Sequence, residues 1–132
     1  MKICSGGIIG MGETLDQRVE LAFALKDVSP DMLPLNFFNP IDGTSLVNRQ
    51  QHQRLKPLEC LKTVAMFRFV LPKANIMVAG GREVNFGELQ PFIFAAGASA
   101  TMIGSYLTTK GRNAEADKRM IEEQGLIPDA EL

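Results

Sequence analysis

The sequence predicts an α/β fold of four consecutive strand-then-helix units. Short apolar runs alternate with longer stretches of helical spacing. Clusters of Gly, Pro and Asn separate them, and no hairpin signal joins two strands directly. Strands that alternate with helices in this way pair in parallel.

The first unit reads as a strand over 2–9 and a helix over 14–28, with Thr14 placed to cap it. Leu15, Val19, Leu21, Ala22, Leu25 and Val28 fall near one face of that helix. The Ser-Pro-Asp break at 29–31 ends it. The second strand is expected over 32–38. A turn over 39–44 and a polar stretch over 48–53 follow. The second helix is predicted over 57–70, started by Pro57 and stopped by Pro72. Its apolar stripe is Leu58, Leu61, Val64, Ala65 and Phe69.

The third strand is expected over 75–79 and the third helix over 86–96, with Gly97 as its C-cap. The fourth strand spans 100–103. A charged helix over 113–124 closes the chain, capped by Asn113 and ended by Gly125. Its charges read as a solvated face, with Glu115 and Arg119, and Lys118 and Glu122, spaced for pairing.

This order fits four units of an eight-unit barrel, and equally a small doubly wound sheet. Polar residues gather at the predicted strand C-termini: Glu13, Asn36, Asn39, Arg82, Glu83, Thr108 and Thr109. In a barrel those ends form one rim, where sites are built; strand-to-helix loops are also polar for capping alone.

With 132 residues, the chain is at most one domain over 1–132, or a piece of one. A net charge of −1 gives no electrostatic case for nucleic acid or an anionic membrane surface. No apolar run reaches the roughly 18 residues of a membrane span. The N-terminus lacks a signal-peptide pattern, and two cysteines make no disulfide framework. Cytoplasmic location is the expectation.

The run Cys4-Ser-Gly-Gly-Ile-Ile-Gly-Met-Gly-Glu13 stands apart. It is neither the dinucleotide fingerprint nor a P-loop. It reads as a buried strand entering a glycine turn before a helix. Such a turn can admit a flat or anionic ligand, or can simply let strand and helix pack closely. Cys60 lies among Leu58 and Leu61 and reads as core. His52, alone in a polar loop, reads as a solvated surface residue. Gly80-Gly81-Arg82-Glu83 reads either as an anion-binding turn or as an internal Arg–Glu tie to the next loop.

These motifs, with Pro34-Leu-Asn36 and Leu107-Thr108-Thr109, stand in the order and near-spacing of biotin synthase. The chain resembles that family, within the radical S-adenosylmethionine (SAM) superfamily, across residues 2–127. Gly-x-Ile-x-Gly-x-x-Glu is the superfamily's fifth-strand motif, and the preceding cysteine narrows the match.

The resemblance implies half of a (β/α)8 TIM-type radical SAM barrel, strands five to eight. The implied activity is sulfur insertion converting dethiobiotin to biotin. Ile8, Gly10, Met11 and Asn39 are implied to meet the adenine of SAM. Asn36 is implied to contact dethiobiotin, and Thr108 and Thr109 to hold its carboxylate tail. Cys4 matches one ligand of an auxiliary iron–sulfur cluster, 2Fe–2S in many relatives. Met77 stands where many relatives place a ligand arginine; a neutral thioether is no equivalent and reads as apolar filler.

The cysteine motif of the 4Fe–4S cluster is absent from this sequence. The isolated chain is therefore expected to be inactive, with the first half-barrel missing and a homodimer as the parent's state. The alternatives are a stand-alone adenosine- or SAM-binding half-barrel module, or a truncated fragment without a function of its own.

Overall fold

The computed structural model describes residues 1–41, 43–44, 55–106 and 111–129. Thr108, Thr109 and His52 lie outside the described residues. The element order is β1 (Gly7–Ile9), α1 (Leu15–Val28), β2 (Met32–Phe37), α2 (Pro57–Val70), β3 (Asn75–Val78), α3 (Arg82–Phe86), a 3-10 segment (Gly87–Ile93), β4 (Ala100–Thr101) and α4 (Ala114–Glu122).

The four strands form one parallel sheet in the order β1-β2-β3-β4. This sequential order has no switch point, unlike a doubly wound sheet. Alternation along β2 is strict: Leu33, Leu35 and Phe37 are buried, while Met32, Pro34 and Asn36 are half-buried. Ile9, Ile76 and Val78 continue the buried face, which joins Ala22 and Leu25 of α1 and Cys60, Val64 and Phe67 of α2 in one core. Burying each of the large aliphatic residues contributes about 1.5–3 kcal/mol. Phe37 and Phe86 meet edge to face, with ring centroids 4.7 Å apart.

Local chemistry explains most boundaries. Thr14 caps α1 in a reciprocal capping box with Gln17. Pro57 opens α2 in its first turn. Asn113 caps α4 through Glu115 and Ala116. The first strand is shorter than expected: Cys4 makes only an isolated parallel bridge to Met32. The third helix begins at Arg82 instead of 86 and passes into 3-10 geometry, because Gly87 takes φ +50° and Pro91 removes a donor.

Two predicted helix faces are corrected. In α1 the buried residues are Arg18, Ala22 and Leu25, while Leu15, Val19 and Val28 are exposed. In α2 they are Cys60, Thr63, Val64 and Phe67, while Leu58 and Phe69 are exposed. In α4 Lys118 pairs with Glu115, three residues away.

Candidate functional site

The turn after β1 is built from its own sequence. Gly10 is buried at φ +95°, a conformation that strains any side chain. Glu13 folds back onto it: Gly10 N–H donates to Oε1 at 2.8 Å and Met11 N–H to Oε2 at 2.7 Å. Earlier in the run the need is packing, since a Cβ at Gly6 would drive into the Pro34 carbonyl oxygen of the neighbouring strand. The close-packing reading of the glycine run therefore has a physical basis before Ile8, while the turn after it has its Gly10 and Met11 amides occupied by Glu13.

Arg18 extends this turn into the helix layer. Its Nε donates to Glu13 Oε1 at 2.7 Å. Its Nη1 donates to Glu59 Oε1 at 2.8 Å and to Thr63 Oγ1 at 3.3 Å, both on α2. Burial alone would raise the Glu13 pKa, but the Gly10 N–H and the Arg18 guanidinium hold it below its usual value. The carboxylate is thereby kept charged.

A second polar cluster ties the third unit to α4. Arg82 and Asp117 are both fully buried, and Nη2 donates to Oδ2 at 2.6 Å. Arg82 also meets Glu83 at 3.2 Å. Glu83 accepts from the Tyr106 hydroxyl at 3.0 Å and from Arg112 N–H at 3.3 Å. The Arg–Glu tie to the next loop is thus present, but the principal partner of Arg82 is Asp117. Gly81 is required here, because a Cβ would strike the Phe37 carbonyl oxygen.

Strand register places several candidates together. Ile8 pairs with Asn36, and Pro34 with Met77. Cys4, Ile8, Asn36 and Met77 share one parity and hence the less buried face of the sheet. Ile8 and Cys4 are exposed, and Met77 is half-buried. Asn36 is partly committed: its Oδ1 accepts from Gly80 N–H at 2.9 Å, and among the described residues its Nδ2 has no acceptor. Gly10, Met11 and Asn39 follow the C-terminal ends of adjacent strands β1 and β2. Cys60 is core, fully buried, its thiol pushed up to about 12 by burial and by the Glu59 charge.

Ile8 and Met11 are exposed beside the shaped turn, so an apolar, flat group would meet no buried charge from these two side chains. An iron–sulfur cluster does not fit the described residues alone: no three His, Cys, Asp or Glu side chains among them lie together. Cys4 can supply one thiolate only. No helix of the described residues is long and apolar enough to cross a membrane.

Arg18 and Asp117 escaped the sequence reading. Arg18 stands four and seven residues before Ala22 and Leu25, on their stripe, so spacing alone could have found it. Asp117 carried no such signal apart from Met120 one turn later, also buried.

Comparison with known proteins supplies the remaining findings. The profile of the Biotin and Thiamin Synthesis associated domain matches residues 34–127. Biotin synthase of Geobacter sulfurreducens is 53% identical over 126 residues, covering 96% of this chain and 37% of that protein. Biotin synthase of Carboxydothermus hydrogenoformans is 54% identical over 126 residues, 96% of this chain and 38% of its own. The chain thus spans little more than a third of the length of these curated relatives. The crystal structure of methylornithine synthase (PylB) superposes with a TM-score of 0.70 at 20% identity, over 97% of this chain and 41% of that one. That likeness is one of fold.

Proposed function

The chain belongs to the Biotin and Thiamin Synthesis associated domain family, and from that premise we propose that it forms strands five to eight of a biotin synthase barrel. The observation that carries the proposal is identity above half with biotin synthases over 96% of the chain. The sequential parallel order of the strands supports a barrel segment.

In this reading Ile8, Gly10 and Met11 back the adenine of SAM, with Asn39 at its edge. When bound, SAM supplies the radical chemistry by which sulfur enters the unactivated carbons of dethiobiotin. The chain's residues bind, orient and exclude water. Ile8, exposed on the sheet, offers an apolar wall. Asn36, anchored by the Gly80 N–H, turns a neutral amide toward a ureido ring. Thr108 and Thr109 offer two hydroxyls to the substrate carboxylate. Cys4 provides one cluster thiolate, while Met77, on β3 across β2 from it, offers no charged ligand. No step is assigned to a cluster that these residues do not hold. The isolated chain is inactive on this reading, and a homodimeric parent in the cytoplasm is its setting.

Titration of the isotopically labelled chain by NMR tests the proposal. SAM should shift the amides of Ile8, Gly10, Met11 and Asn39, and dethiobiotin the side-chain amide of Asn36. Shifts confined to other residues, or none, would overturn it. Anaerobic reconstitution with iron, sulfide, SAM and dethiobiotin should give no biotin; any biotin formed would refute the inactivity of the chain. The turn is built wholly from this chain's residues, which favours a second reading as an adenosine-binding module. Metal-free binding of adenosine as tight as that of SAM would support it.

A further inference from the structure

We infer that Arg18 is a positioning residue that sets the affinity of the adenine-contacting turn from the α1–α2 interface. The inference rests on the adenine reading above. Arg18 is 5% exposed and lies on α1 in line with buried Ala22 and Leu25, facing α2 through Glu59 and Thr63. A salt bridge between α1 and α2 needs only Glu59. Instead the guanidinium divides: Nη1 holds Glu59 and Thr63, and Nε holds Glu13. Glu13 spends both oxygens on the Gly10 and Met11 N–H groups. An unbroken line of charge-assisted hydrogen bonds therefore runs from α2 to the two backbone amides of the turn.

Without Arg18 the carboxylate loses the partner that fixes its rotamer. Water then competes for it, and the Gly10–Met11 backbone is held by a freely moving side chain. Arg18 touches no ligand and acts only through Glu13. Glu59, 41 positions away from Arg18, steadies the far end of the fork.

The test compares wild type with Arg18→Met, Arg18→Lys and Glu59→Gln in the full chain. It follows SAM and dethiobiotin separately by NMR titration, and amide exchange at Gly10, Met11 and Val64. Loss of a charge-assisted hydrogen bond predicts about a tenfold weaker SAM affinity in Arg18→Met. Arg18→Lys, which keeps the charge but not the fork, should recover part of it. Glu59→Gln should weaken SAM by about threefold, as a lost partial charge contact. Dethiobiotin affinity should stay within twofold, and exchange should accelerate at Gly10 and Met11 more than at Val64.

A merely structural role would weaken both ligands together and speed all three amides alike, which would overturn the inference. So would SAM affinity within twofold of wild type in all three variants. If Arg18→Met does not fold, Arg18→Lys and Glu59→Gln decide by the same criteria. Wild type that binds SAM while the variants match it defeats this inference alone. Wild type that binds no SAM defeats the adenine reading, and this inference with it.

Discussion

Changing Asp117 to Asn removes one charge from a pair in which both side chains have no solvent exposure. The partner cannot escape by losing its proton, because a guanidinium stays charged in proteins; in the wild type, despite burial, Asp117 and Glu83 hold the Arg82 pKa above its usual value. Among the described residues, Arg82 Nε and Nη1 already have no acceptors. Deleting one partner of a buried pair costs about 3–5 kcal/mol, because an uncompensated charge is left inside. Glu83, 3.2 Å from the same Nη2 and 25% exposed, keeps part of the compensation. The lower end, about 3 kcal/mol, is therefore expected. That is a large share of the roughly 5–15 kcal/mol that holds a domain folded. Urea unfolding followed by circular dichroism should show an unchanged m-value and a midpoint lower by about 1.5 M. Arg82→Met combined with Asp117→Leu removes both charges and should return to within about 1 kcal/mol of wild type. Asp117→Asn within 1 kcal/mol of wild type, or a double variant as unstable as the sum of its parts, would refute the reasoning.

Tyr106 is the only tyrosine, and burial first, then Glu83, pushes its pKa up to about 12 from 10.0. The folded state holds this proton more tightly, so its stabilisation is complete below pH 10 and declines as the pH rises toward 12. Ultraviolet titration should place the native phenolate midpoint near 12, and Glu83→Gln should bring it down; a native midpoint near 10 would count against the Glu83 contact. Of the two cysteines, exposed Cys4 should be alkylated in native protein and buried Cys60 only after denaturation. Rapid native modification of both would contradict the packing of α2.

The local part of the fold was readable from the sequence. The limits of α2 matched because Pro57 and Pro72 bracket it. Thr14 and Asn113 were recognisable as caps because their bonds span two or three residues. The third helix was misplaced because Gly87 and Pro91 bend a continuous apolar pattern into 3-10 geometry. The helix faces differ from the apolar spacing because inward positions are not all apolar. In α1 an arginine occupies an inward position, and Leu15 and Val19 face out. The turn at Gly10 was visible because glycine and carboxylate are close in sequence. The partners that fix it were not, since Arg18 meets Glu59 and Arg82 meets Asp117 only after the units have packed. No pattern within one element announces such pairs.

Glu13 gives the glycine turn a sign. The amides of Gly10 and Met11, which in an open turn would receive an anion, are already satisfied by an internal carboxylate. An anion arriving there would find both of these amides occupied and would meet a carboxylate already paired with Arg18. Its two amides are taken before any ligand arrives, so the turn presents shape and the exposed side chain of Met11 rather than an anion cradle.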